Sequence, residues 1–261
     1  MPTLDQMEEN HLYFRILYVG NSGAGKTGSL AALAAAGYNI RMIDLDNGWS
    51  ILRQYIKHLC PEMMKNVNVV SYRDKYKAGP TGISVDGAPK AFISALSALD
   101  KWPDDGTNPA EWGPDTVLVI DSLTWLSKAA YAWFDKLNPT VKDKRQIFYT
   151  AQDAIMDFLQ NVTAENMHCH VMVLTHIQYN ETETKGFASS IGKALGPKIP
   201  SLFNNFVMAE TKGQGASARR VIRTVTDGKV DLKNEKPFEV QNELPIETGL
   251  ATLFEQLKGK Q

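Results

Sequence analysis

The sequence predicts an α/β fold: a mostly parallel central sheet flanked by helices on both faces, with an antiparallel hairpin added toward the C-terminus. Three observations point there. Short apolar, β-branched runs alternate with segments of helical period along most of the 261 residues. A glycine-rich turn, GNSGAGKT at 20–27, separates one such run from an alanine-rich stretch. Late in the chain, RRVIRTVT and KVDL flank an Asp-Gly pair, which is a hairpin signal.

In order, YFRILYV at 13–19 reads as a buried strand, and GKTGSLAALAAAG as a helix stopped by Gly37. YNIRMIDLD is a second strand, and residues 49–60 carry Leu52, Ile56 and Leu59 at helical spacing. VNVVSY follows as a third strand. Residues 74–88, with three Gly and one Pro, read as a loop. APKAFISALSALDKW places Phe92, Leu96 and Leu99 on one helical face. A second loop, PDDGTNPAEWGPD, leads into TVLVID, a fully apolar strand ending in a carboxylate. Residues 123–137 and 147–165 are helical, joined by the basic connection NPTVKDKRQ. HVMVLTHI is the next buried strand, and 179–198 has no clear period. NNFVMAE and the hairpin give the last strands, and a helix over 248–257 ends in a basic tail.

Composition bounds the function classes. A formal net charge of -1 excludes a uniformly basic nucleic-acid binder, so any such contact must come from local basic loops. No apolar run is long enough for a membrane span. The acidic, polar start lacks the features of a signal peptide, and two cysteines suit a reducing compartment; both predict a cytoplasmic protein. Cys169 lies between His168 and His170, but alternate strand residues face opposite ways, so HCH reads as structural.

The pattern G-x-x-x-x-G-K-T between a strand and a helix is a phosphate-binding loop. Gly20, Gly23 and Gly25 let the backbone amides face phosphate oxygens, and Asn21, Ser22, Ala24 and Gly28 complete the cradle. Lys26 would bridge the β and γ phosphates of ATP, and Thr27 would ligate Mg²⁺. Asp121, ending TVLVID, is the matching metal-holding carboxylate. The next residue is Ser122, where many such ATPases carry the catalytic Glu, so the base must come from elsewhere. Asp44 and Asp46 end the neighbouring strand; Asp46 is assigned to water activation, with capping of the next helix as the other reading. His176 arrives at the same sheet edge, either touching the γ phosphate or sitting as a satisfied strand-end histidine.

GNSGAGKT, MIDLD, VNVVS, APKAFISALSALDKW, VLVIDSLTWL, TAQDAIMDFLQNVTA and VMVLTHIQ, in that order, resemble the RecA-fold recombinase core. The likeness is strongest to the compact phage-encoded RecA-like annealing ATPases of the Sak four group, and covers roughly residues 14–240. The resemblance implies a RecA-like P-loop ATPase core in which the carboxylate matching Asp46 orients the attacking water. It departs in having Asp for Glu there, and His176 where bacterial RecA carries a γ-phosphate-sensing Gln, which implies slow turnover. It implies two DNA-contacting loops, here carrying Lys142, Lys144 and Arg145, then Lys185, Lys193 and Lys198; taken one by one, each lysine also reads as solvated surface charge. It further implies a homo-oligomer, filament or ring, with Lys229 and Lys233 as candidate contacts to a neighbour's phosphate, and single-stranded DNA as partner; a single-strand-binding protein and a nuclease are the candidates for delivering that DNA. The organisation expected is one domain: an arm at 1–12, a core at 13–240, and a C-terminal helix with basic tail at 241–261. A helicase or packaging motor and an annealing module using ATP as a structural switch are the alternatives. A small-molecule kinase is disfavoured, because 179–198 has no arginine.

Overall fold

Six mostly apolar runs assemble into the parallel core of an eight-stranded sheet in a computed structural model that describes residues 13–80 and 82–259. Its parallel strands are β1 (Arg15–Gly20), β2 (Asn39–Asp44), β3 (Val67–Ser71), β6 (Thr116–Asp121), β7 (His170–Thr175) and β10 (Asn205–Lys212). They stand in the order β10-β1-β7-β6-β2-β3. Two antiparallel strands, β11 (Arg219–Arg223) and β12 (Glu243–Pro245), extend the β10 edge. The helices are α1 (Lys26–Ser29), α2 (Ala31–Ala35), α3 (Trp49–Leu59), α4 (Ala91–Asp100), α5 (Leu123–Leu137), α6 (Lys144–Thr163) and α7 (Gly249–Lys258).

Period-two alternation along each strand sorts the core into two layers. Leu17, Val19, Leu118, Ile120, Val171 and Val173 face α4, α5 and α6, where Phe92, Leu126 and Phe158 meet them. Ile16, Tyr18, Met42, Val119, Met172 and Leu174 face the other way, against Leu33, Leu52, Ile56 and Phe254. Burial on both faces is why these strands read as continuous apolar runs. Arg15 is itself buried, its guanidinium donating to the carbonyls of Ala164, Met167 and Cys169 just past the end of α6. The buried guanidinium thereby pins the turn between α6 and β7.

Four sequence expectations need correction. The Gly- and Pro-rich stretch at 74–88 holds a β-hairpin, β4 (Tyr76–Gly79) and β5 (Gly82–Val85). Its turn residues hid an alternating pattern on each side. The Asp227-Gly228 turn does not join two paired strands. The Asp227 carboxylate accepts from the Lys229 and Val230 amides and from Arg223, and the chain then runs on until Lys233 bridges Phe206 of β10. The hairpin closes earlier, between β10 and β11, through Gly213 and Gly215 with φ of 78° and 56°. Third, α6 starts at Lys144 because Asp143 caps it, accepting from the Arg145 amide, so Lys144 and Arg145 lie in a helical turn and not in a flexible loop. Fourth, the stretch 179–198 is partly regular: β8 (Ile177–Tyr179) pairs antiparallel with β9 (Gly186–Ala188). The expected arm at 1–12 and the last two tail residues lie outside the described residues.

The HCH triplet behaves as strand geometry demands. Cys169 is buried, its thiol pushed up to about 12 by burial, and His170 packs on the opposite face against Phe14 and Phe254. Among the described residues no group of three or more His, Cys, Asp or Glu could hold a metal ion. His170 Nδ1 accepts from the Phe14 amide at 3.0 Å, and burial lowers its pKa to about 4. A histidine depressed on folding takes up its proton more readily when unfolded, so its stabilising contribution is complete above the ordinary value of 6.5 and is lost as pH falls toward 4. Urea unfolding should show stability declining over that window, by up to about 3 kcal/mol, and His170→Phe should flatten the decline.

Candidate functional site

The parallel strands carry their ends to one sheet edge. In register, Val19 of β1 lies beside Thr175 of β7, and Asp121 of β6 lies between Leu174 and Asp44. Ligands of open α/β sheets bind at such carboxyl ends. The loop leaving β1 must pass close to β10: a Cβ on Gly20 would stand 2.5 Å from the Ala209 carbonyl oxygen. Gly23 and Gly25 adopt φ of 79° and 98°, left-handed values that a side chain resists. The curled backbone leads straight into α1, whose first residue is Lys26.

Lys26 is buried and its ammonium donates to the Gly20 and Asn21 carbonyls at 2.7 and 3.1 Å. Burial lowers its pKa, while Asp121 and Asp46 pull it back up. Thr27 Oγ1 donates to Asp121 Oδ2 at 2.6 Å. Asp121 is 2% exposed, and burial, reinforced by the charges of Asp46 and Asp44, pushes its carboxyl up to about 7 despite the Thr27 hydrogen bond and nearby Lys26. A desolvated carboxylate next to a hydroxyl, surrounded by other negative charge, is stabilised by a hard cation.

The two carboxylates of the neighbouring strand separate cleanly. Asp44 is fully buried and occupied, accepting from the Gly48 amide at 2.9 Å and Ser71 Oγ at 3.0 Å. The Gly48 bond braces the residue before α3, while DNGWS, which begins at Asp46, supplies no side-chain cap to that helix. Asp46 lines the cleft, with Oδ2 3.4 Å from Ser122 Oγ and 3.8 Å from His176 Nε2. His176 also lines the cleft; burial, with Lys26 next, lowers its pKa, so the ring is neutral at pH 7. Its amide donates to Thr124 Oγ1 at 3.2 Å, its carbonyl accepts from the Ser189 amide, and Thr175 Oγ1 donates to the Ser189 carbonyl. These bonds tie the end of β7 to α5 and to the loop after β9.

Three residues in or beside the cleft escaped sequence reading. Gly48 is needed because a Cβ there would sit 2.8 Å from Asp121 Oδ2 and 2.9 Å from Thr27 Cγ2. Tyr55 lays its ring 2.9 Å from where a Gly28 Cβ would be. Arg220 reaches in from β11, its Cδ 3.3 Å from the corresponding Gly25 position, and lines the cleft. A glycine in a strand-to-helix turn was a usable signal for Gly48; an arginine on an edge strand gives none. The cleft measures about 370 Å³.

The basic residues assigned to DNA loops do not enter this cleft. Lys144 pairs with Asp135, Arg145 with Asp143, Lys185 with Asp231 and Lys193 with Glu181, while Lys142 and Lys198 are exposed. Exposed pairs of this kind contribute little to stability and yield readily to a stronger anion. Lys229 and Lys233 also lie outside the cleft lining, Lys233 bridged through its backbone to Phe206.

A glycine-rich phosphate loop after β1, and β7 inserted between that strand and the carboxylate-bearing β6, define a P-loop ATPase with a RecA-like core. The chain belongs to the AAA domain family, whose model matches residues 13–235. Similar solved structures include a prototypical ATPase from the type III secretion system of pathogenic bacteria, at 14% identity and a TM-score of 0.45, covering 76% of this chain and 51% of that one. This chain therefore spans about half the length of that relative. The RadB recombinase shares 14% identity over 84% of this chain and 91% of its own, with a TM-score of 0.44. A KaiC-like protein from Pyrococcus horikoshii OT3 shares 10% over 80% and 77%, with a TM-score of 0.40. No curated protein matches the sequence. Among the described residues no helix is long and apolar enough to cross a membrane.

Proposed function

We propose that this protein is an Mg²⁺-ATP-dependent, single-stranded-DNA-binding ATPase of recombinase or strand-annealing type, a single RecA-like domain that works as a homo-oligomer. The observation that carries the ATPase part is the convergence of Lys26, Thr27, Asp121, Asp46 and His176 on one cleft at the strand ends. Thr27 and Asp121 would hold the cation. A hydroxyl and a single carboxylate, both hard oxygen donors, suit Mg²⁺ shared with substrate phosphates, and the bound ion would supply neutralisation of phosphate charge.

Each side chain then has a definable task. Lys26, already stripped of water, exchanges the Gly20 and Asn21 carbonyls for phosphate oxygens. Asp46 accepts a proton from the water that attacks the terminal phosphorus as the bridging P–O bond breaks, and the departing phosphate leaves neutral His176 without its partner. The Thr124, Thr175 and Ser189 hydrogen bonds carry that loss to the loop bearing Lys193 and Lys198. Arg220, an exposed cation with no acidic partner among the described residues, would meet the nucleotide from the β11 side. Arg220→Ala should raise KM for ATP about tenfold with little change in kcat, since it removes binding common to ground and transition states. Steady-state kinetics checks this.

The test of the whole reading is the rate of phosphate release with and without a long single-stranded DNA. A rate that rises with DNA supports it; a rate indifferent to DNA removes the DNA-coupled ATPase and leaves a motor or an annealing module in which ATP is only a structural switch.

A further inference from the structure

We infer that the β4–β5 hairpin and the first turns of α5 form a stacking platform for single-stranded nucleic acid, apart from the loops at 142–145 and 185–198. The inference rests on the single-stranded-DNA reading above and assigns it a surface. Cross-strand pairing puts Tyr76 opposite Val85 and Ala78 opposite Ile83, so one hairpin face carries all four. Tyr76 is 59% exposed and Ile83 79%. An isolated two-stranded ribbon gains little stability by itself, and nothing in the fold accounts for leaving its apolar face in water. Trp125, 37% exposed, stands across a shallow groove from Tyr76, with Lys128 Nζ 4.1 Å from the centre of its ring.

The charge around these aromatics selects the partner. Residues 72–90 with Lys128 hold five cations, Arg73, Lys75, Lys77, Lys90 and Lys128, against two carboxylates. Both carboxylates are engaged: Asp74 caps α4 by accepting from the Lys90 and Ala91 amides, and Asp86 pairs with Lys77. Arg73, Lys75, Lys90 and Lys128 carry no acidic partner among the described residues and are exposed. On a chain with net charge -1, this is a local positive field interleaved with exposed rings. Bases stack on such rings while phosphates meet the cations, without sequence preference. A folded apolar partner would have no use for four free cations. An acidic peptide would have none for two opposed aromatic rings.

The platform also touches the ATP cleft. Leu45, one residue before Asp46, lines the groove, and α5 begins directly after Asp121-Ser122. The charge of Lys128 is felt at His176. A strand held here sits where the nucleotide state can be sensed.

Fluorescence anisotropy of a labelled oligothymidylate, titrated into the full chain with Mg²⁺-ATP, tests the inference. Tyr76→Ala and Lys128→Ala should each weaken binding about 5- to 50-fold, Tyr76→Phe should restore most of it, and Lys128→Ala should lower the slope of log affinity against log salt by about one. Both positions are exposed, so unchanged melting curves confirm that these variants fold. If both variants bind like the wild type while Lys193→Ala and Lys198→Ala lose affinity, the platform is wrong and the DNA reading stands. If the wild type binds no oligothymidylate at all, the DNA reading falls with it. Displacement of the oligonucleotide by polyglutamate but not by oligouridylate would make the groove an acidic-peptide site and overturn the assignment.

Discussion

Lys26→Ala should reduce ATP turnover by about a thousandfold or more and remove the stabilisation that Mg²⁺-ATP gives the protein against heat. The size follows from burial. Lys26 is 8% exposed and its pKa is already lowered by burial, so its desolvation cost is met in the folded protein and not at the moment of reaction. Without it, the triphosphate faces Asp121 and Asp46 with one compensating charge fewer. A ligand at 100 times its Kd adds about 2.7 kcal/mol of stability, a shift that thermal melting resolves easily. The variant itself should melt close to the wild type. Losing a buried cation offsets leaving the Gly20 and Asn21 carbonyls short of a donor. A variant still stabilised by Mg²⁺-ATP to the wild-type extent would mean that the nucleotide does not use this loop.

What the sequence made legible follows from the range of each interaction. The phosphate loop was readable because its requirements are local: Gly23 and Gly25 need left-handed backbone, and Lys26 and Thr27 must open a helix. The parallel strands were readable because burial on two faces leaves uninterrupted apolar runs. Asp121 was readable as the carboxylate ending such a run. The assignment of Asp46 over Asp44 had no local support, since they lie two residues apart at the end of β2 and only the fold shows that the Gly48 amide and Ser71 hydroxyl donate to Asp44. Gly48 and Arg220 depend on contacts across the sheet edge, with Asp121 and Gly25, that no local pattern encodes. The missed hairpin at 76–85 and the misplaced Asp-Gly turn fail for opposite reasons. In the first, turn residues masked a short alternation; in the second, a strong turn signal was satisfied by Asp227 hydrogen-bonding its own loop. The single helix expected after the phosphate loop is instead two short ones, α1 and α2, divided at Leu30.

Asp46→Asn should lower kcat by about 10²- to 10⁴-fold while leaving nucleotide affinity unchanged or slightly higher. The amide keeps the shape and the contact with Ser122 but cannot take a proton from water. The effect on affinity has its own sign: Asp46 is one of the charges that push the Asp121 carboxyl toward about 7, so removing it lets Asp121 ionise more readily and favours cation binding. Asp44→Asn should behave differently, disturbing folding more than chemistry, because that carboxylate is fully buried and holds the Gly48 amide. The pair of variants also separates two ways of using ATP. If Asp46→Asn with ATP still assembles on single-stranded DNA and anneals complementary strands, bound nucleotide alone drives the function and hydrolysis serves release. If annealing fails although ATP remains bound, each round needs the transition that phosphate loss triggers at His176. Turnover unchanged in Asp46→Asn would leave, among the described residues lining the cleft, Asp121 as the remaining carboxylate, which Thr27 already engages, and would remove Asp46 from the chemistry.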